Sequence, residues 1–252
     1  MNARLLAGGD ISPKLLRRRM NTRAMLVGVA VTICLSSAWA AAESEDAGAW
    51  ETLNARFALL YQQGRHDEAL KVGQDALAEA RNTFGPDDPK VATSLNNLGV
   101  IAQAQKRYTD AETFYKQALE IDEKAGAGNE KEAASDLYNL AAVYEADGRY
   151  RDARPLYQRA LDLDEKTLGA ENPGVATDLA HLAAVHEALG EYAEAEPLRQ
   201  RVVTMQENTL ASDDPDFWRA LERYAACLRH EGKTQEAIAV EDRLTALRAK
   251  QP

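Results

Sequence analysis

Residues 137–161 read LYNLAAVYEADGRYRDARPLYQRAL, and this stretch decides the fold. Before Gly148 its apolar residues stand at Leu137, Leu140, Ala141 and Tyr144, the i, i+3, i+4, i+7 spacing that gathers side chains on one face of a helix. After the glycine a second helical pattern starts at Tyr150, with small Ala153 and Ala160 flanking Tyr157. Gly148 supplies the positive-φ residue that ends one helix and turns the chain into the next. Such a pair cannot bury its apolar face alone and needs neighbours of its own kind.

Those neighbours lie in the same chain. Shifted by 42 residues, the sequence aligns with itself without gaps from Trp50 onward, the mark of a repeat architecture. One column holds Leu53, Leu95, Leu137, Leu179 and Leu221, another Ala69, Ala111, Ala153, Ala195 and Ala237. The turn column reads Gly64, Lys106, Gly148, Gly190 and Gly232, so the second unit is expected to accept a strained or an altered turn at Lys106. Five units follow, at roughly 50–89, 92–131, 134–173, 176–215 and 218–250. Breakers separate them at 84–89 (FGPDDP), 168–173 (LGAENP) and 210–215 (LASDDP). The matching 126–131 (GAGNEK) has no proline and is expected to be the loosest link. No strand pattern occurs.

The columns resemble the tetratricopeptide repeat (TPR) in its 42-residue, kinesin-light-chain-like form. The resemblance is carried by Leu137, Leu140, Ala141 and Tyr144, by the Gly148, Tyr150, Ala153 turn, by Tyr157, Ala160 and Leu161, and by the Leu168, Gly169, Pro173 linker. It implies an all-α, right-handed superhelical solenoid over roughly residues 48 to 248. The outer units depart most, with Arg56 and Phe57 in the first and Thr234 and Glu241 in the last, as expected where an end of the stack meets water.

Residues 1–42 differ from the rest. Arg4, Lys14, Arg17, Arg18, Arg19 and Arg23 precede an uncharged run over 24–42, AMLVGVAVTICLSSAWAAA. That order reads as a secretory signal peptide, cut near Ala41 or Glu43, with Met20 an alternative start. The run is also near bilayer-spanning length, so an uncleaved membrane anchor is the second reading. Either way the body is sent across the membrane, and the expected location is periplasmic or otherwise extracytoplasmic. Residues 43–252 hold 24 basic and 39 acidic side chains, a net of −15, which argues against nucleic-acid binding. Contact with a membrane is expected only through the N-terminal segment. Of the two cysteines, Cys34 lies in the leader; Cys227 is left without a disulfide partner and falls in a buried apolar column.

In a stack of helix pairs the first helices line the inner surface. At about 100° per residue, the positions opposite the leucine stripe are Thr93, Asn96, Asn97, Val100, Ala104, then Ser135, Tyr138, Asn139, Ala142, Ala146, then Thr177, Ala180, His181, Ala184, Ala188. None of the fifteen is charged in a chain that is 28% charged, where about four charges are expected of water-facing positions. Small neutral side chains admit another chain closely, and asparagine offers its backbone both donor and acceptor. Asn96, Asn97, Tyr138, Asn139 and His181 are therefore the candidate peptide-binding groove, and the resemblance implies the same surface. The competing reading is that small residues permit tight curvature. Residues 91–104, 135–146 and 177–188 contain no Lys or Arg, so the family's clamp for a C-terminal carboxylate is not expected. Arg219, Arg223, Arg229 and His230 cluster in the last unit, where they solvate a terminal helix or meet an acidic partner.

Catalytic motifs do not occur: the sequence has no Gly-rich phosphate loop, no Gly-x-Ser-x-Gly elbow and no His-Glu-x-x-His. His181 and His186, five residues apart, cannot share a metal on one helix, and His186 falls in a core column. The sequence thus predicts an exported, non-catalytic adaptor for a protein or peptide partner, with no cofactor and no metal. A self-associating architectural protein, or an enzyme with an unrecognised site, are the alternatives.

Overall fold

A computed structural model describes residues 48–249; the leader, its cleavage site and Cys34 lie outside the described residues. Among these, ten helices form five pairs: α1 Ala49–Gln62 and α2 His66–Phe84, α3 Pro89–Ala104 and α4 Tyr108–Ala125, α5 Glu130–Ala146 and α6 Tyr150–Leu168, α7 Pro173–Ala188 and α8 Tyr192–Thr209, α9 Pro215–His230 and α10 Thr234–Arg248. No strand occurs among the described residues. Each helix packs against the one before and the one after it, which makes the chain an all-α solenoid.

The column residues explain this stacking. Ala69, Ala111, Ala153, Ala195 and Ala237 are all 0% exposed, because alanine lets the two helices of a pair approach without leaving a void. Leu95, Leu137, Leu179 and Leu221 fill the space between pairs and are buried. Asp88, Asn172 and Asp214 cap α3, α7 and α9, each accepting a backbone N–H two residues on, with proline opening the helix. That arrangement satisfies one otherwise orphaned donor and uses proline where its missing N–H costs nothing. α5 has neither proline nor a side-chain cap. Its linker is tied instead by Asn129, which donates to Asp122 at 3.0 Å, and by the Gly128 N–H, which donates to Glu130 at 2.7 Å.

Lys106 turns the second unit at φ 59°, the one non-glycine residue with positive φ among those described. Its turn keeps the backbone bonds of the Gly148 turn: Arg107 N–H to Ala102 O at 2.8 Å, against Arg149 N–H to Tyr144 O at 2.7 Å. Of the two outcomes open to Lys106, the strained turn is taken and the altered one is not, so the shared turn geometry is kept.

The first unit departs from the pattern for a reason other than end-capping alone. Phe57 stands where Gly99, Ala141, Ala183 and Ala225 stand later, and Gly73 stands where Tyr115 and Tyr157 do. The large ring comes from α1 instead of α2. A Cβ on Gly73 would lie 3.3 Å from the Phe57 ring, and one on Gly99 would lie 2.6 Å from the Tyr115 ring. Total volume is conserved while its source changes helix, a swap that cores tolerate.

One pair of positions closes four of the five helix pairs with different chemistry. Tyr115 O–H donates to Gln103 at 3.3 Å and Tyr157 O–H to Glu145 at 2.7 Å. One unit on, Arg199 donates to both oxygens of Glu187 at 2.8 and 2.7 Å, and in the last unit Arg229 forks onto Glu241. Arg199 is buried and survives there because its bidentate partner meets it directly.

Successive second helices are tied by Glu123 to Arg159, Glu165 to Arg201 and Glu207 to Arg243. A second series joins each unit to the next turn: Glu112 to Arg149 at 2.8 Å, Arg154 to Glu191 at 2.9 Å, Glu196 to Lys233 at 2.9 Å. These are partly exposed pairs, each worth at most about 1 kcal/mol. Together they show that the charged second-helix surface is ordered across unit boundaries.

Candidate functional site

Contacts between first helices of adjacent units define the inner line of the stack. Asn97 Nδ2 donates to Asn54 Oδ1 at 2.8 Å, and Asn54 in turn donates to the Trp50 carbonyl at 3.0 Å. Asn96 Nδ2 donates to Asp136 Oδ1 on α5. Both asparagines therefore have partners inside the array, Asn96 as a staple between the second and third units.

Asn139 follows Asn97 by one repeat and is 7% exposed. No group among the described residues hydrogen-bonds its amide, which still reaches solvent at the bottom of the surface. Its oxygen and nitrogen are not among the buried atoms left without a partner, so they meet water, which a partner's backbone groups would replace.

Beside it, Tyr138 and His181 belong to one aromatic cluster. The Tyr138 ring lies edge-on to Tyr157 at 5.4 Å and to His181 at 5.3 Å, while Tyr157 and His181 stack at 5.4 Å. Such geometries suit aromatic quadrupoles. Glu145 Oε2 accepts from Tyr157 and lies 3.0 Å from His181 Nδ1. Burial alone would push the Glu145 carboxyl up, but the bonds from His181 and Tyr157 outweigh it and hold the group below the ordinary glutamate value. A carboxylate facing Nδ1 calls for a proton on that nitrogen. Burial pushes the Tyr138 hydroxyl up, so it stays a neutral donor.

The structure therefore brings Tyr138, Asn139 and His181 together, with Asn96 and Asn97 one unit away. Of the fifteen positions taken as water-facing, Ala104, Ala146 and Ala188 are exposed, Asn139 is buried and the rest are half-buried. Much of the missing charge is thus explained by burial. Glu145, which positions His181 together with Tyr157, is absent from the sequence reading, and Tyr157 enters it only as a repeat residue; the signal that joins them is the repeated spacing of twelve residues that also sets Gln103 against Tyr115.

Two buried carboxyl pairs lie behind this surface. Asp136 and Asp122 meet at the α4–α5 contact, and Asp178 and Asp164 repeat them at α6–α7. Asp136 and Asp178 are 0% and 3% exposed. Burial, then the neighbouring Asp122, push Asp136 up to about 9, and burial with Asp164 pushes Asp178 up to about 8. Asp122 is raised by burial to about 6, against hydrogen bonds from Asp136 and Asn129. Each pair holds one proton between two carboxyl groups at neutral pH.

Elsewhere, His186 Nδ1 lies 2.7 Å from Glu191, and Cys227 is buried, its thiol pushed up to about 11 chiefly by burial. Arg219 pairs with Asp216, Arg229 with Glu241, and His230 stacks on Tyr192 at 4.6 Å, so three members of the C-terminal basic cluster have internal partners. Among the described residues no group of three or more His, Cys, Asp or Glu is placed to hold a metal ion. No helix among them is long and apolar enough to cross a membrane.

This five-pair geometry is matched by sequence comparison: the tetratricopeptide repeat description covers residues 51–124 and 132–208, and a second description of the same repeat covers 185–252. The chain belongs to the tetratricopeptide repeat family. Similar solved structures include TPR-like repeats of kinesin-light-chain type from Podosopora anserina (24% identity, 79% of this chain and 94% of that one, TM-score 0.68). BtubC from P. vanneervenii is 22% identical over 87% of this TPR chain and 88% of its own, with TM-score 0.70. A Rap protein in complex with competence and sporulation factor is 17% identical over 79% of this chain and 54% of its own, with TM-score 0.57. No curated protein matches the chain.

Proposed function

We propose that this TPR protein is a non-catalytic adaptor, exported across a membrane, that holds a protein segment along the line of its first helices. The observation that carries this reading is Asn139, a nearly buried amide with no internal partner. Asn97, with its bond to Asn54, and His181 flank it in the same column. A peptide backbone crossing this column would satisfy the Asn139 amide, while the small Ala142, Ala180 and Ala184 leave it room. That a Rap protein of related fold carries a bound factor supports a partner-holding role. Export is supported by the order of basic, apolar and small residues over 1–42.

The test uses the tagged chain as bait in an extract of the source cell's envelope, beside Asn139→Arg and Asn139→Ala. Asn139→Ala should keep the fold by circular dichroism and retain less partner than the parent, and Asn139→Arg should retain none. Equal capture by all three baits would remove the inner line as the binding surface. A reporter active only outside the cytoplasm, fused after residue 42, tests export separately; an inactive fusion would refute it.

A further inference from the structure

The two ends of the array each resemble one side of an interface inside it. Leu59 is 50% exposed, yet Ile101, Val143, Val185 and Cys227, which take its place in later units, are at most 1% exposed. Each of those is covered by the unit before it, and among the described residues α1 has no unit before it. At the other end Ile238 is 38% exposed. It stands where Leu70 stands in the first unit, a place held by Glu112, Arg154 and Glu196 in between. Leu70 packs against the apolar cluster that contains Ile101. The first junction of the array is therefore sealed by an aliphatic pair whose two counterparts, Ile238 and Leu59, face outward at opposite ends.

Two further pairs keep the same register. Across the first junction Trp50 donates its indole N–H to Ser94 Oγ at 2.9 Å. Trp218 stands at the Trp50 place and Thr52 at the Ser94 place, whereas the units between carry Ala92, Ala134 and Ala176 instead of tryptophan. Leu98 reaches over the junction to position 73, since a Cβ there would lie 3.0 Å from its Cδ2. The end counterparts of Leu98 and Gly73 are Arg56 and Glu241, a pair of opposite charge. Glu241 now meets Arg229, with both side chains more than two-fifths exposed, and the Trp218 N–H is given to the Ser212 carbonyl; both groups are accessible for a new contact.

We propose that the α1 face of one chain docks on the α10 face of a second copy, continuing the stack, with Leu59 against Ile238, Arg56 against Glu241 and Thr52 against Trp218. The two patches differ, so each added chain leaves one of each free and the assembly is an open row instead of a closed dimer. This contact is independent of the groove and leaves the inner line continuous from copy to copy.

Sedimentation velocity of the full chain over roughly 5 to 500 μM, the weaker end of standard interfaces, tests it. The parent should grow in mean mass with concentration, with no plateau at two chains. Leu59→Glu and Ile238→Glu alter exposed positions and should each stay monomeric, while their equimolar mixture, with one intact patch of each kind, should stop at two chains. Arg56→Glu should weaken growth, and mixing it with Glu241→Arg should restore it. A parent that remains monomeric throughout overturns the proposal. So does growth of the two single variants equal to the parent's, which would move the contact to residues 1–47 or to the groove, and so does a mixture that fails to pair.

Discussion

Asp136→Asn replaces a buried carboxyl with a neutral amide of the same shape, and the structure predicts that it stabilises the protein in a pH-dependent way. The folded chain raises Asp136 from 3.8 to about 9, so between about pH 4 and pH 9 it holds a proton that the unfolded chain has released. Stability from that proton is fully present below the unfolded value and is lost as pH rises toward the folded one. The groups facing Asp136 are Asp122 and Glu132, which raise it, and Asn96, which donates to it. At pH 7 the proton is held about three pH units above the ordinary value, about 4 kcal/mol if Asp136 bears all of it. Asp122, itself raised to about 6, shares the burden, which leaves about 2 to 4 kcal/mol. Asparagine keeps an acceptor for Asn96 and gives Asp122 a permanent N–H donor, with no proton to hold. Thermal melts followed by circular dichroism should show the variant above the parent by roughly 5 to 15 °C near pH 8, with the gap closing toward pH 4. A variant that melts below the parent at pH 8, or a gap that ignores pH, would refute the shared-proton account.

Three other outcomes follow from named contacts. Glu187→Ala strands the buried Arg199 guanidinium and should destabilise by about 3 to 5 kcal/mol in denaturant unfolding, whereas Glu241→Ala, at the exposed version of the pair, should cost about 1 kcal/mol or less. Ala153→Leu should overpack the α5–α6 contact, where alanine is 0% exposed, and lower stability by about 1 to 3 kcal/mol; an unchanged melting temperature would contradict the register. Lys106→Gly should relieve the φ 59° conformation for a net gain of about 0.5 to 1 kcal/mol after the entropy glycine adds to the unfolded chain, and loss of stability would show the lysine side chain to be needed.

The repeat was legible because its information is local and periodic: Leu137, Gly148 and Ala153 each need one residue type at one place, and the need recurs every 42 residues. What was not legible depends on pairs. Phe57 looks like a broken column until Gly73 is seen to compensate it on the other helix. A helical wheel sets Asn97 and Asn139 on one line of the first helices but treats that line as open to water, because a wheel describes one helix and burial there is set by the next unit. Asn96 is committed to Asp136 forty residues away, and Asp136 is a charged residue type in a place where charge is least expected. Tyr157 stands in the sequence only as the ring between Ala153 and Ala160, and its hydroxyl on Glu145 shows only when both helices are in place.

The series Glu112 to Arg149, Arg154 to Glu191 and Glu196 to Lys233 reverses its sign at every step but one side always answers the other. A chain of modules that share their leucine column risks closing on the wrong module while it folds. If the second unit skipped the third and met the fourth, Glu112 would face Glu191; if the third skipped the fourth, Arg154 would face Lys233. Each of these two shortcuts sets like charges together, so the alternation favours the next module over the one after it.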